Sequence, residues 1–138
     1  MKERFRHYRL GQESMDKHHE QILFALEEVR ACFYGKKAYE QMTLPAKVVE
    51  KLRKIQDDLV KHCLSEELAM VRLSFPYVES HRANHTESMR VIIKSLQQPT
   101  GASISDAIEE LLRHIDFYDR RLAEYCLNNG VLLQEVAA

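Results

Sequence analysis

Two pairs of polar residues, one on each side of a proline, constrain this chain more than anything else in it. His62 and Glu66 are four residues apart, His81 and His85 are four apart, and Pro76 lies between the pairs. Four residues make about one helical turn, so each pair projects from one face of its helix. Pro76 ends the first helix, because its ring clashes with the preceding turn and it has no N–H to give. A short turn there lets the two helices fold back antiparallel and brings both pairs to one point. Imidazoles and a carboxylate converging inside a helical core are how a protein holds iron, manganese or zinc.

The rest of the chain has the helical period these pairs require. Met15, His19, Ile22, Leu26, Val29 and Phe33 alternate spacings of four and three, with Ser14 or Asp16 as the expected cap and a stop at Gly35 and the polar stretch 36–43. His18 sits about 100° round from His19 and is expected to face outward. Pro45 suits the first turn of a second helix, whose stripe is Leu52, Ile55, Leu59, His62, Glu66, Met70 (or Ala69) and Leu73. Glu67 is expected at solvent or behind the ligands. A third stripe runs through Val78, His81, His85, Met89 (or Ser88), Ile92 and Leu96. After Pro99, Thr100 and Gly101, with Ser103 or Ser105 as cap, the fourth carries Ile108, Leu111, Leu112, Ile115, Asp119, Leu122 and Cys126, and Asn128, Asn129 and Gly130 stop it. Only four glycines and three prolines interrupt 138 residues. The pattern predicts an all-α fold: an antiparallel up-down four-helix bundle over residues 15–130. An N-terminal arm (1–14) would pack its aromatics on the bundle, and a short tail (131–138) follows.

Each of the four stripes carries polar residues where leucine would be less costly. The first has His19, the second His62 and Glu66, the third His81 and His85, the fourth His114 and Asp119. A lone histidine on an apolar face is usually a satisfied core residue. Five of the chain's seven histidines with two carboxylates is a different case, because a purely structural network would have to satisfy all of them at once. His114 and Asp119 are five apart, roughly 140° off in an ideal helix. They share a site if the helix widens locally, as a π-bulge does, or if Asp119 reaches sideways.

Charge and cysteine usage narrow the setting. A net charge of −1 and a pI near 6.7 give no electrostatic case for nucleic acid or an anionic membrane. No apolar run approaches the ~18 residues of a span, and the first twenty residues have no apolar core of a signal peptide. Cys32, Cys63 and Cys126 are odd in number and lack a CxxC spacing, which suits reduced thiols in the cytoplasm.

With these residues in view, the chain resembles the hemerythrin family, in particular its stand-alone bacterial members. The resemblance is carried by MDKHH from Met15 to His19, HCLSEELAM from His62 to Met70, FPYVESHRANH from Phe75 to His85 and LLRHIDFYD from Leu111 to Asp119. The order and the HxxxE, HxxxH and HxxxxD spacings are those of the family, and they span most of residues 8–126. The resemblance implies two iron ions (Fe2+/Fe3+) joined by a bridging oxo or hydroxo group. His81, His85 and His114 would bind one iron, His19 and His62 the other, and Glu66 and Asp119 would bridge them. Counted over two octahedral ions, these donors leave one position open on the iron of His19 and His62. Dioxygen is what the family binds there.

The chain departs from the family in the wall of that pocket. Ile22, Leu111 and Ile115 keep their apolar character, but Cys63 stands where the family usually has Phe, and Glu110 where it usually has Trp. Glu110 either turns to solvent with local repacking, or enters the pocket and admits water or protons, or caps the open position. A carboxylate inside would speed autoxidation or favour peroxide chemistry. Cys63 is either a small buried apolar residue or an oxidisable thiol. The expected function is therefore a non-haem di-iron dioxygen-binding protein: a carrier, store or sensing module. The alternatives are a di-iron enzyme of peroxidase, oxidase or nitric-oxide chemistry, or a protein of iron repair. Sensing would need a redox or signalling protein partner, since no output domain is evident in the chain.

Overall fold

The computed structural model describes residues 5–33 and 44–137; the predicted stop at Gly35 and 36–43 and the first residues of the arm lie outside the described residues. It is all-helical, with no strand among the described residues. The helices are α1 (Glu13–Ala31), α2 (Ala46–Arg72), α3 (Val78–Gln97), α4 (Gly101–His114), α5 (Arg120–Asn128) and α6 (Leu133–Ala137). A 3₁₀ turn, Arg6–Tyr8, precedes them, and a π-helical turn, Ile115–Asp119, joins α4 to α5 without leaving helical dihedrals. α1 packs on α2 and α4, α3 packs on α2 and α4, and the short α6 lies against α2 and α1. No helix of the described residues is long and apolar enough to cross a membrane.

The helix ends differ from the expected caps in instructive ways. Neither Ser14 nor Asp16 caps α1; Gln12 holds the N-cap position and its side chain makes no cap. Gly11, at φ +82°, turns the chain so that Asp16, already inside the helix, accepts from the Leu10 N–H (2.8 Å) and the Gly11 N–H (3.1 Å). The Gln12 side chain is buried and accepts from the Leu133 N–H at 2.9 Å, tying the start of α1 to α6. Pro45 stands one residue before α2, at the N-cap. Thr100, not Ser103 or Ser105, caps α4; Ser103 is its reciprocal partner in a capping box.

α2 stops before Pro76 through a Schellman closure. The Ser74 N–H reaches Val71 O (3.1 Å) and the Phe75 N–H reaches Met70 O (2.9 Å), with Ser74 at φ +52° where glycine is usual. The same closure ends α5 with Gly130 at φ +64°.

Two apolar clusters form the core. One gathers Phe5, Ile22, Leu26, Leu52, Ile55, Leu59, Ile92, Ile108, Leu111 and Ile115 among others. The second gathers Met15, Ala69, Met70, Phe75, Leu122, Ala123, Cys126 and Leu133. Phe5 is buried in the first, so the arm's aromatic does pack on the helices. On α1 and α2, and across the rod from α4 to α5, one cluster ends and the other begins, and the polar stripe residues occupy the gap.

Candidate metal centre

The seven polar side chains meet in that gap. Asp119 and His81 have no exposed surface, and the most exposed, His62, reaches only 5%. His19 comes from α1, His62 and Glu66 from α2, His81 and His85 from α3, and His114 from the end of α4. Asp119 arrives through the π turn. The wider turn takes up the extra residue between His114 and Asp119, so both project to the same side. Of the two arrangements the five-residue spacing left open, this is the local widening.

The donor atoms fall into two groups that share both carboxylates. Glu66, His81, His85, His114 and Asp119 form one; His19, His62, Glu66 and Asp119 form the other; within each, the ligating atoms all lie within 4.8 Å of one another. In the first, Glu66 Oε1 lies 2.9 Å from His85 Nε2 and 3.2 Å from His81 Nε2. Asp119 Oδ1 lies 3.0 Å from His81 Nε2 and 2.9 Å from His114 Nε2. In the second, Glu66 Oε2 lies 2.9 Å from His62 Nε2 and Asp119 Oδ2 lies 2.8 Å from His19 Nε2. The two imidazole Nε2 atoms of His19 and His62 face each other at 3.1 Å.

These short distances make a hydrogen-bond network that is only partly satisfied. Glu66 Oε2, Asp119 Oδ2 and His114 Nε2 are buried and have no aligned hydrogen bond despite their close neighbours. Close approach without alignment is what donor atoms do when they aim at a shared point. A buried polar atom left in that state is costly unless a cation supplies the missing partner. The chemistry also suits a cation: imidazole nitrogens and carboxylate oxygens, the donor set of first-row transition metals. The buried His/Glu/Asp group could hold a metal ion.

Charge within the cluster is held in balance. Burial alone would lower the imidazole of His62; Glu66 and Asp119 beside it reverse that and raise it to about 10. The same opposition takes His81 to about 9. His85 goes to about 10, with Cys63 and Glu66 overcoming burial. Burial would push both carboxyls up, and for Glu66 the nearby Asp119 adds to that. The surrounding imidazoles prevail and hold both well below the usual carboxylate range.

Around the cluster, Ile22, Leu111 and Ile115 are buried in the first apolar cluster. Cys63 is partly buried beside His85, and burial pushes its thiol up. Glu110 is neither free in solvent nor among the grouped donors: it accepts from Ser88 Oγ at 2.8 Å and pairs with Arg113. Glu67 accepts from His85 Nδ1–H at 2.9 Å and pairs with Arg82. His18 is exposed and meets His62 edge-on, with ring centroids 5.6 Å apart. It lines a cavity of about 250 Å³ between α1 and α2, with Gln21, Ile22, Asp58, Lys61, His62 and Ser65. Sequence reasoning missed Asn84, whose Oδ1 lies 2.5 Å from His114 Nδ1. Its position, one residue before His85, was a signal only in retrospect: Asn there is indistinguishable from an exposed helix residue until α4 is packed on α3.

Fold and site together define an all-helical protein with a buried group of histidines and carboxylates able to hold metal. No protein-family model matches the chain, no curated protein matches it, and no solved structure matches it.

Proposed function

We propose that the chain is a hemerythrin-like protein: an antiparallel up-down four-helix bundle that holds two irons and binds dioxygen. One observation carries the reading. Glu66 and Asp119 each divide their two oxygens between the two donor groups, one oxygen per group. A carboxylate split in this way suits two ions side by side, with His81, His85 and His114 on one and His19 and His62 on the other. The helix neighbours, with each of α1, α2, α3 and the α4 rod touching two others, are those of a bundle.

When bound, such an iron pair supplies electrons for taking up dioxygen. The chain's own residues do the rest. The carboxylates offset the charge of the ions, and the imidazoles contribute neutral donors. Ile22, Leu111 and Ile115 give the site an apolar wall on the side of the first core cluster. Glu67 accepts from the Nδ1–H of His85, which makes Nε2 the nitrogen that a metal would take once the ring gives up its second proton.

A second reading, a di-iron enzyme acting on peroxide or nitric oxide, is favoured by the cavity at His62. All of its lining residues but Ile22 are polar, namely His18, Gln21, Asp58, Lys61, His62 and Ser65, and a polar mouth admits water and small polar molecules as readily as a gas. The three thiols are free, which suits a reducing compartment such as the cytoplasm.

The test is anaerobic reconstitution with ferrous iron, metal analysis, and then admission of air with the visible spectrum followed in time. Two irons per chain and a visible band that grows on oxygenation and reverses under argon support the dioxygen carrier. Two irons with immediate irreversible oxidation move the function to the enzyme reading. A chain that takes up one iron or none refutes the di-iron site.

A further inference from the structure

One imidazole of the cluster is tied to the protein surface by an unbroken chain of polar side chains. His114 Nδ1 lies 2.5 Å from Asn84 Oδ1, which lies 3.0 Å from Ser88 Oγ. Ser88 Oγ lies 2.8 Å from Glu110 Oε1, and Arg113 closes the chain on Glu110 with Nη2 on Oε1 and Nε 3.1 Å from Oε2. Asn84 and Ser88 are one turn apart on α3, and Glu110 and His114 one turn apart on α4. The contacts thus cross the α3–α4 interface, with one end in the cluster and the other at an Arg–carboxylate pair.

We propose that Asn84, whose Oδ1 also lies within reach of the Ser88 hydroxyl, is a positioning residue for His114: its carbonyl oxygen holds the ring proton on Nδ1 and so leaves Nε2 bare toward the metal. The inference rests on the metal-binding reading above. A neutral imidazole binds a cation only through its unprotonated nitrogen, and the partner of the other nitrogen decides which one that is. His114 needs such a partner, because its Nε2 lies 2.9 Å from Asp119 Oδ1, and that carboxylate draws the proton to the metal side. The Asn84 oxygen draws it the other way. Ser88 has one hydroxyl proton and two acceptors in reach, Asn84 Oδ1 and Glu110 Oε1, so it serves one or the other. The reverse amide orientation would present N–H groups to both Ser88 Oγ and His114 Nδ1, place the ring proton on Nε2 and close this ligand to metal. The two orientations make opposite predictions for one atom.

The same geometry assigns Glu110 a role distinct from ligation. Its oxygens are spent on Arg113 and Ser88, and it belongs to neither donor group. It competes with Asn84 for the single Ser88 hydroxyl proton.

The test has two readouts. A long-range proton–nitrogen correlation spectrum of the metal-free chain reads the His114 ring directly; a protonated Nδ1 is expected, and a bare Nδ1 overturns the proposal. Zinc titration against a chromophoric chelator then compares variants. Asn84→Leu is expected to lose about ten- to a hundredfold in zinc affinity. Asn84→Asp, which keeps an acceptor oxygen, is expected to restore most of it. Glu110→Ala is expected to lose less than Asn84→Leu. Wild-type affinity in Asn84→Leu overturns the positioning role, and a loss in Glu110→Ala as large as that of His114→Ala makes Glu110 a ligand instead. If the wild-type chain takes up no zinc, the metal reading falls, while the ring spectrum still decides whether Asn84 sets the proton.

Discussion

Protons and metal should compete for the same atoms in this cluster, and the competition has a sign and a size. In the metal-free chain, His62 and His85 sit at about 10 and His81 at about 9, against an ordinary 6.5. Burial opposes these values; Glu66 and Asp119, and for His85 also Cys63, sustain them. At pH 7.5 the three rings therefore carry protons that a metal on the same nitrogens must expel. Loading is expected to release about three protons per chain between pH 7 and 8.5, and apparent affinity to rise by up to about a thousandfold per pH unit there. Stability of the metal-free chain runs the opposite way. Groups raised above 6.5 contribute fully below that pH and lose their contribution as pH climbs through 9 to 10. Glu66 and Asp119, held below ordinary values of 4.5 and 3.8, contribute above those values and lose it as pH falls further. The metal-free chain should be most stable between about pH 4.5 and 6.5 and weaken toward 10, while the metal-loaded chain gains over the same alkaline range. The assay is zinc titration in weak buffer with a pH-stat, paired with urea unfolding across pH. Release of less than one proton per chain, with affinity flat in pH, would refute the imidazolium–carboxylate balance argued above.

Glu66→Ala or Asp119→Ala should abolish paired metal binding and cost the folded chain about 3–5 kcal/mol by urea unfolding, because buried imidazoles lose their counter-charge; a variant still holding two ions would show that the carboxylate it lacks is not a bridge, and the bridging assignment would be wrong. His18→Ala should leave metal content unchanged by elemental analysis, since the ring is exposed and only lines the mouth; a loss there would move the ligand from His19 to its neighbour. Ser74→Gly should raise the unfolding midpoint by an amount equivalent to at most about 1 kcal/mol, because a left-handed residue with a side chain is strained where glycine is not; a lower midpoint would mean the αL closure of α2 is not strained.

Much of the architecture is legible in the stripes. Their spacing marks four helical segments, and the residues that interrupt each stripe, His19, His62, Glu66, His81, His85, His114 and Asp119, are the ones the fold buries together. Periodicity reports them because a buried position is identified by its neighbours at three and four residues. Caps were harder to read. Thr100 was passed over for Ser103 and Ser105 because all three are good cap residues, and only the backbone conformation selects among them. Asp16 looked like a cap and instead reaches back to Leu10 and Gly11, an arrangement set by the positive φ of Gly11.

By itself the sequence determined four inward stripes and the seven histidines and carboxylates on them, since helical period is a local property. It left open whether His114 and Asp119 could share a site, what Glu110 touches and what Asn84 does. Tertiary packing decided these. The π turn is stabilised by what converges on Asp119 from other helices, His19 and His81 included, and nothing in five consecutive residues encodes that. Glu110 meets Ser88 and Asn84 meets His114 only where α4 lies on α3, residues 22 and 30 positions apart in the chain. Contacts of that separation are made by the packing of helices, which is why the donors could be read from the sequence and their partners could not.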